Sequence, residues 1–250
     1  MADSEKEKFI KRATNFKTFN FIERDFTSTT FKEEIRQLFD TYYFGLKKDD
    51  PVRDYRTDSL TFENIQKIIK NLRDNNEEKY LNLFEYGEDL GFGSGEVALY
   101  YMVNSAKLGG KGSAGKDVFC NNGEFEVKAA VVYKKIYASN FKVGGTFSLN
   151  DIIDRLDSLR AKLQLAGNKS AINTSVLETM KEKAKKEYED IENAYAKLLY
   201  DNYFGSHKVV FFNNSDNKEK GNILAIKKVK KEEIKINVLT SNTIKPLVLL

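Results

Sequence analysis

Residues 117–131 constrain this chain more than any other stretch. Asp117-Val118-Phe119-Cys120 is a short run, Asn121-Asn122-Gly123 is turn chemistry, and Glu124-Phe125-Glu126-Val127-Lys128-Ala129-Ala130-Val131 is an alternating run. Asn and Gly accept the left-handed backbone of a tight reversal, and a period of two sends successive side chains to opposite faces of a strand. The stretch therefore predicts a β-hairpin with Glu124, Glu126 and Lys128 on one face and Phe125, Val127 and Ala129 on the other. Asp117 opens the strand alongside, which brings a second carboxylate towards Glu126 and Lys128.

The rest of the chain supplies elements to support that hairpin. Thr61 is placed to cap a helix carrying Ile65, Ile68, Ile69 and Leu72, ended by Asp74-Asn75-Asn76, and Phe31, Ile35, Leu38 and Phe39 mark an earlier helical face. Gly91, Gly93 and Gly95 lead into a short apolar helix, 96–103, and Gly109 to Gly115 is a loop by composition. Beyond the hairpin, Asn150 or Asp151 caps a helix through Ile152, Ile153, Leu156, Leu159 and Leu163 that stops at Gly167. A long charged helix from about Ser175 to Tyr203 follows. It reads as a core-packed helix with a charged exterior, ahead of a dimerisation arm or DNA clamp. Strands are expected at 208–212, 222–226 and 233–238. The order is an α/β pattern with helices packed on a sheet. It divides into a mostly helical N-terminal region, 1–90, a core, 91–213, and a C-terminal β extension, 214–250, expected to form one compact unit.

Composition removes several chemistries. With one cysteine, Cys120, no internal disulfide forms, and with one histidine, His207, zinc sites built on Cys and His pairs are excluded. Cys120 reads as a small packing residue and His207 as a structural or exposed one. The balance of 41 basic against 37 acidic residues is that of an ordinary solvated surface and identifies no partner. No run approaches the length of a transmembrane helix, and the N-terminus lacks the apolar core of a secretory signal. The expectation is a protein away from membranes, in the cytoplasm, or in a host cell or virion if phage-encoded.

Catalysis without His or Cys falls to carboxylates, lysine and a hard cation. Asp117 and Glu126 are suited to Mg²⁺, which takes one or two protein carboxylates and keeps several waters. Lys128 is suited to orient a water or to offset charge on a phosphorane, and Glu96 offers a third carboxylate. Glu77-Glu78-Lys79 and Glu233-Ile234-Lys235 also contain Glu-x-Lys, but only the 96–128 set has a helix acid, a strand Asp, a hairpin and Glu-x-Lys in order, with a helix downstream. The competing reading of the hairpin is a solvated face with a cross-strand Glu–Lys pair.

Gly95-Glu96, Gly115-Lys116-Asp117 and Glu126-Val127-Lys128 together resemble the PD-(D/E)xK nuclease superfamily over roughly residues 90–213. Lys116 stands where the pattern's name has Pro. The resemblance implies an α/β restriction-endonuclease-like core, a mixed central sheet flanked by helices. It implies Glu96, Asp117 and Glu126 as metal ligands with the Val127 carbonyl joining them, Lys128 as the catalytic lysine, and Mg²⁺, or Mn²⁺ in its place, as cofactor. It makes Gln164 a candidate assisting residue. The expected function is a Mg²⁺-dependent DNA endonuclease, restriction-type or phage DNA-processing, with the homodimer common in this group as a candidate assembly. The alternative is a non-catalytic DNA-binding or virion structural protein that retains the fold. Lys111, Lys116, Lys134, Lys135 and Lys142 are candidate phosphate contacts, whereas Tyr133, Tyr137 and Phe141 read as core packing.

Overall fold

A computed structural model describes residues 56–76, 81, 84, 95–108, 116–143, 147–214, 221–240 and 243–250. The helical face at 31–39, the glycine loop with Lys111 and the first Glu-x-Lys lie outside them. The chain is α/β, with a mixed sheet flanked by helices. Among the described residues no helix is long and apolar enough to cross a membrane. The fold groups into two units, each assembled from two separated segments: Met1–Ala129 with His207–Ile226, and Ala130–Ser206 with Lys227–Leu250.

In the first unit, helix α1 (Phe62–Asp74) starts as its sequence dictates, with the Thr61 side chain accepting from the Asn64 N–H at 3.2 Å. Its apolar stripe, Ile65, Ile68, Ile69 and Leu72, is buried. Its polar side is anchored by Gln66 Nε2 donating to the Ile223 carbonyl and by Arg73 Nη1 donating to Asn222 Oδ1, both at 2.6 Å. Helix α2 (Glu96–Met102) begins at Gly95, whose φ is +89°. A Cβ there would collide with the edge of the Phe212 ring, so glycine is required both by conformation and by the ring beside it.

Strands β1 (Lys107–Leu108), β2 (Val118–Cys120) and β3 (Gly123–Tyr133) run antiparallel in that order. Cys120 pairs with Gly123, so the reversal is the two residues Asn121-Asn122, one fewer than the sequence implies. Asn122 also ties the hairpin to the start of α1, accepting from the Leu60 N–H at 3.1 Å and donating to the Leu60 carbonyl at 2.8 Å. Strand β6 (Lys208–Asn213) pairs with β3 and with β7 (Ile223–Lys227). Phe125, Phe211 and Phe212 are fully buried, and the Phe84 and Phe212 rings lie 5.1 Å apart.

In the second unit, the end of β3 pairs with β4 (Tyr137–Ser139), β4 with β9 (Thr243–Leu249), β9 with β8 (Ile234–Thr240) and β8 with β5 (Ala171–Ile172), all antiparallel. Strands β4 and β9 are not expected from sequence: β4 is three residues long, and β9 contains Pro246. Helix α3 (Asn150–Lys162) follows Leu149 at its cap position, so neither Asn150 nor Asp151 caps it. The Ser148 hydroxyl instead accepts from the Asn150 N–H at 3.2 Å.

The expected single helix 175–203 is two, α4 (Thr174–Lys183) and α5 (Lys185–Asn202), broken at Ala184 with φ −140° and ψ 52°. No Pro or Gly forces the break. It lets Leu177 and Met180 bury on α4 while Tyr188, Ile191 and Tyr195 bury on α5. Packing therefore prevails over the high helix propensity of Lys-Glu-Lys-Ala-Lys-Lys-Glu. Glu192 on α5 is buried and accepts from the Ile236 N–H at 3.3 Å, with Lys235 Nζ 3.1 Å away. That pairing accounts for Lys235 of the second described Glu-x-Lys.

Candidate active site

The candidate residues meet where β2 and β3 leave the hairpin. Asp117 lies one residue before β2 and is held by the backbone of β3 on both sides. Its N–H donates to the Phe125 carbonyl at 2.9 Å, and its Oδ2 accepts from the Val127 N–H at 2.8 Å. This places the carboxylate beside Glu126. Lys128, two residues along on the same face, has its Nζ 2.5 Å from Glu126 Oε1 and 4.0 Å from Asp117 Oδ2. The period-two reading of β3 thus places Glu126 and Lys128 as expected.

The face they share is only partly solvated: Asp117 and Lys128 are half-buried and Glu126 is buried. Glu126 is 4% exposed, as enclosed as Val127 on the opposite face at 3%. A surface Glu–Lys pair contributes about 0–1 kcal/mol and perturbs little; burial changes that balance. The Asp117 carboxyl is pushed from its ordinary 3.8 up to about 6, chiefly by desolvation and then by the Glu126 charge. Lys128 and the Val127 N–H pull in the opposite direction and do not prevail. Two carboxylates are therefore forced together in a site where a single ammonium does not compensate them fully.

Glu96 is the first residue of α2 and is buried at 5% exposure. Among the described residues, no group of three or more His, Cys, Asp or Glu side chains is gathered in a way that could hold a metal ion. Glu96 is thus not drawn into a three-carboxylate cluster with Asp117 and Glu126, and the compact donor set is the pair. That pair suits Mg²⁺: its oxygens are hard, two carboxylates are the number Mg²⁺ ordinarily takes from protein, and a dication supplies the positive charge the pair lacks.

The surrounding residues separate by position. Lys116 is ion-paired with Glu124 across the base of the hairpin, and its ammonium lies 5.9 Å from the Phe119 ring centroid. Lys134, Lys135 and Lys142 are exposed and belong to the second unit. Phe141 is buried, while Tyr133 and Tyr137 are half-buried. Gln164 is beyond the last turn of α3, in a left-handed conformation with φ 54°, and not on the helix as expected. Lys208 Nζ donates to the Asn122 carbonyl at 3.3 Å and lies 5.5 Å from the Phe125 ring centroid, bracing the hairpin from β6.

His207 is a neighbour that sequence reading undervalues. It is 4% exposed, and its imidazole is held below the ordinary histidine range chiefly by burial, with the charge of Glu126 opposing and that of Lys128 reinforcing. Those charges reach it because β6, which His207 precedes, pairs with β3. No local signal reports that proximity, because the two segments are far apart in sequence. No protein-family model, curated protein or solved structure matches the chain.

Proposed function

We propose that this chain is a Mg²⁺-dependent DNA endonuclease of the PD-(D/E)xK type, hydrolysing phosphodiester bonds in restriction or phage DNA processing on a restriction-endonuclease-like core. The observation that carries the reading is the convergence of half-buried Asp117 and buried Glu126 with the Lys128 ammonium on one hairpin. Asp117 and Glu126 would hold the cation, with Asp117 oriented by the Val127 N–H. Bound Mg²⁺, or Mn²⁺ in its place, supplies a Lewis acid for the phosphate and a water of lowered pKa. Lys128 lies beside the carboxylates, where it orients a water or offsets charge developing on phosphate oxygens. The burial of Glu126 lowers the local dielectric, which strengthens each of those interactions.

The second reading, a non-catalytic DNA-binding or virion structural protein, draws on the finding that Glu96 is not gathered with the pair. One experiment separates the two: supercoiled, linear and branched DNA incubated with Mg²⁺, Mn²⁺ or EDTA and wild type, Lys128→Ala or Asp117→Ala. Metal-dependent cutting abolished by both substitutions in folded protein supports the nuclease. No cutting on any substrate, with DNA binding unchanged by either substitution, supports the alternative.

A further inference from the structure

The reversal between β3 and β4 is built from residues that a turn of its kind does not favour. Lys134 and Lys135 have φ of 49° and 66°, and the Ile136 N–H donates to the Tyr133 carbonyl at 3.2 Å. Two consecutive residues with positive φ under such a bond match the mirror-image hairpin turn that Asn-Gly fills most easily. Lysine has neither the missing Cβ of glycine nor the short amide of asparagine, so the apex is strained at both central positions. Ile136 comes next. Tyr133 pairs directly with Tyr137, which leaves Ile136 unpaired with β3, and it is 49% exposed.

The apex is nonetheless held firmly. The Leu250 N–H donates to the Ile136 carbonyl at 2.8 Å, and the Ser139 hydroxyl donates to the Val131 carbonyl at 2.8 Å. The result is a braced ribbon presenting two cations and a bare β-branched side chain. The Lys134 ammonium lies 3.0 Å from Glu178, but both groups are solvent-facing, and a phosphate competes readily for such a pair.

We propose that this hairpin apex is a wedge for duplex DNA, with Lys134 and Lys135 bound to backbone phosphates and Ile136 inserted between adjacent base pairs. The inference rests on the DNA partner of the nuclease reading and adds how the duplex is gripped. A compact apolar wedge flanked by cations is the arrangement that unstacks a base step while neutralising the strands beside it. A membrane surface calls for a broad apolar face and not one isoleucine. Strain retained at two consecutive lysines is accounted for by their charge, since Asn-Gly would serve the turn better.

The test uses the full chain in EDTA, so that binding is read without cutting, on duplexes carrying a fluorophore or 2-aminopurine. The double variant Lys134→Asn, Lys135→Gly is expected to melt at a higher temperature than wild type yet bind more weakly. With two phosphates no longer neutralised, the slope of log affinity against log salt falls by about 1.8, and affinity at 0.15 M salt falls roughly 30-fold. Ile136→Ala is expected to keep the salt slope and to lose the 2-aminopurine fluorescence rise that reports unstacking. If wild type binds DNA and both variants match it in affinity, slope and fluorescence, the wedge is overturned while the nuclease reading stands. If wild type binds no DNA, the wedge falls, and the cutting assay with Mg²⁺ alone decides the nuclease reading. Binding to anionic vesicles that Ile136→Ala abolishes, with DNA binding intact, would assign the apex to a membrane instead.

Discussion

The buried carboxylate pair should make the metal-free protein less stable than a variant lacking one charge. Asp117→Asn is the informative substitution, because asparagine keeps an oxygen to accept from the Val127 N–H while removing the charge that burial disfavours. The carboxyl titrates at about 6 in the fold against 3.8 when solvated, so between those values the folded state binds more protons than the unfolded one. Stability from this group therefore falls as pH rises through the window 3.8 to 6, and the full penalty is present above it. At 1.36 kcal/mol per pH unit, the penalty is about 3 kcal/mol at pH 8 and roughly half that at pH 5.

Urea unfolding in EDTA should accordingly show Asp117→Asn more stable than wild type by up to ~3 kcal/mol at pH 8, with roughly half that difference at pH 5. Adding Mg²⁺ should reverse the order at pH 8. Wild type then gains RT ln(1 + [Mg²⁺]/Kd), about 4.1 kcal/mol at a thousandfold excess over Kd, and the variant gains little. A variant less stable than wild type at pH 8 in EDTA would refute the reasoning. It would mean that Lys128 and the Val127 N–H outweigh desolvation, and that the cluster is a structural ion pair.

Other substitutions test the scaffold around the pair. Gly95→Ala should cost about 2–4 kcal/mol, seen as a lower urea midpoint, because a side chain at φ +89° is strained and its Cβ would collide with Phe212. Asn122→Ala should cost about 1–2 kcal/mol by removing both bonds to Leu60, with faster amide exchange at the start of α1 as its local signature. Glu192→Ala, which leaves Lys235 and the Ile236 N–H unmatched, should lower stability by about 2 kcal/mol, less than for a fully enclosed pair because Lys235 is partly solvated. A loss under about 0.5 kcal/mol for Glu192→Ala would show that water replaces the carboxylate at little cost.

What the sequence disclosed was local in origin. Thr61 before Ile65, Ile68, Ile69 and Leu72 gives a cap and a stripe at helical spacing, and both are present. Alternation along 124–131 places Glu126 and Lys128 on one face, and the Asn-rich turn brings Asp117 alongside. The burial of that face was not legible, since an alternating strand reads as half-solvated and β6 arrives from more than 70 residues downstream. The same distance hid His207. The break at Ala184 is written in no turn residue, and the left-handed Gln164 occupies a position where glycine is the usual signal. At Ala184 packing selected a conformation that local propensity opposes, whereas at Gln164 the local helix-end bonds do so, with the Leu165 N–H donating to the Arg160 carbonyl at 3.0 Å.

The interleaving of the two units bears on how the chain is made. Strand β6, which pairs with the strand carrying Glu126 and Lys128, belongs to a segment starting at His207, whereas the rest of its unit is complete by Ala129. At about 5–20 residues per second, a ribosome needs roughly 4–15 s to pass between those points. Throughout that interval the Asp117–Glu126 hairpin emerges without β6 beside it. Nascent chains should therefore carry an unfinished sheet edge that invites pairing with neighbours. Protection of that edge by a chaperone, or slow translation beyond residue 206, would then govern the yield of correctly folded protein.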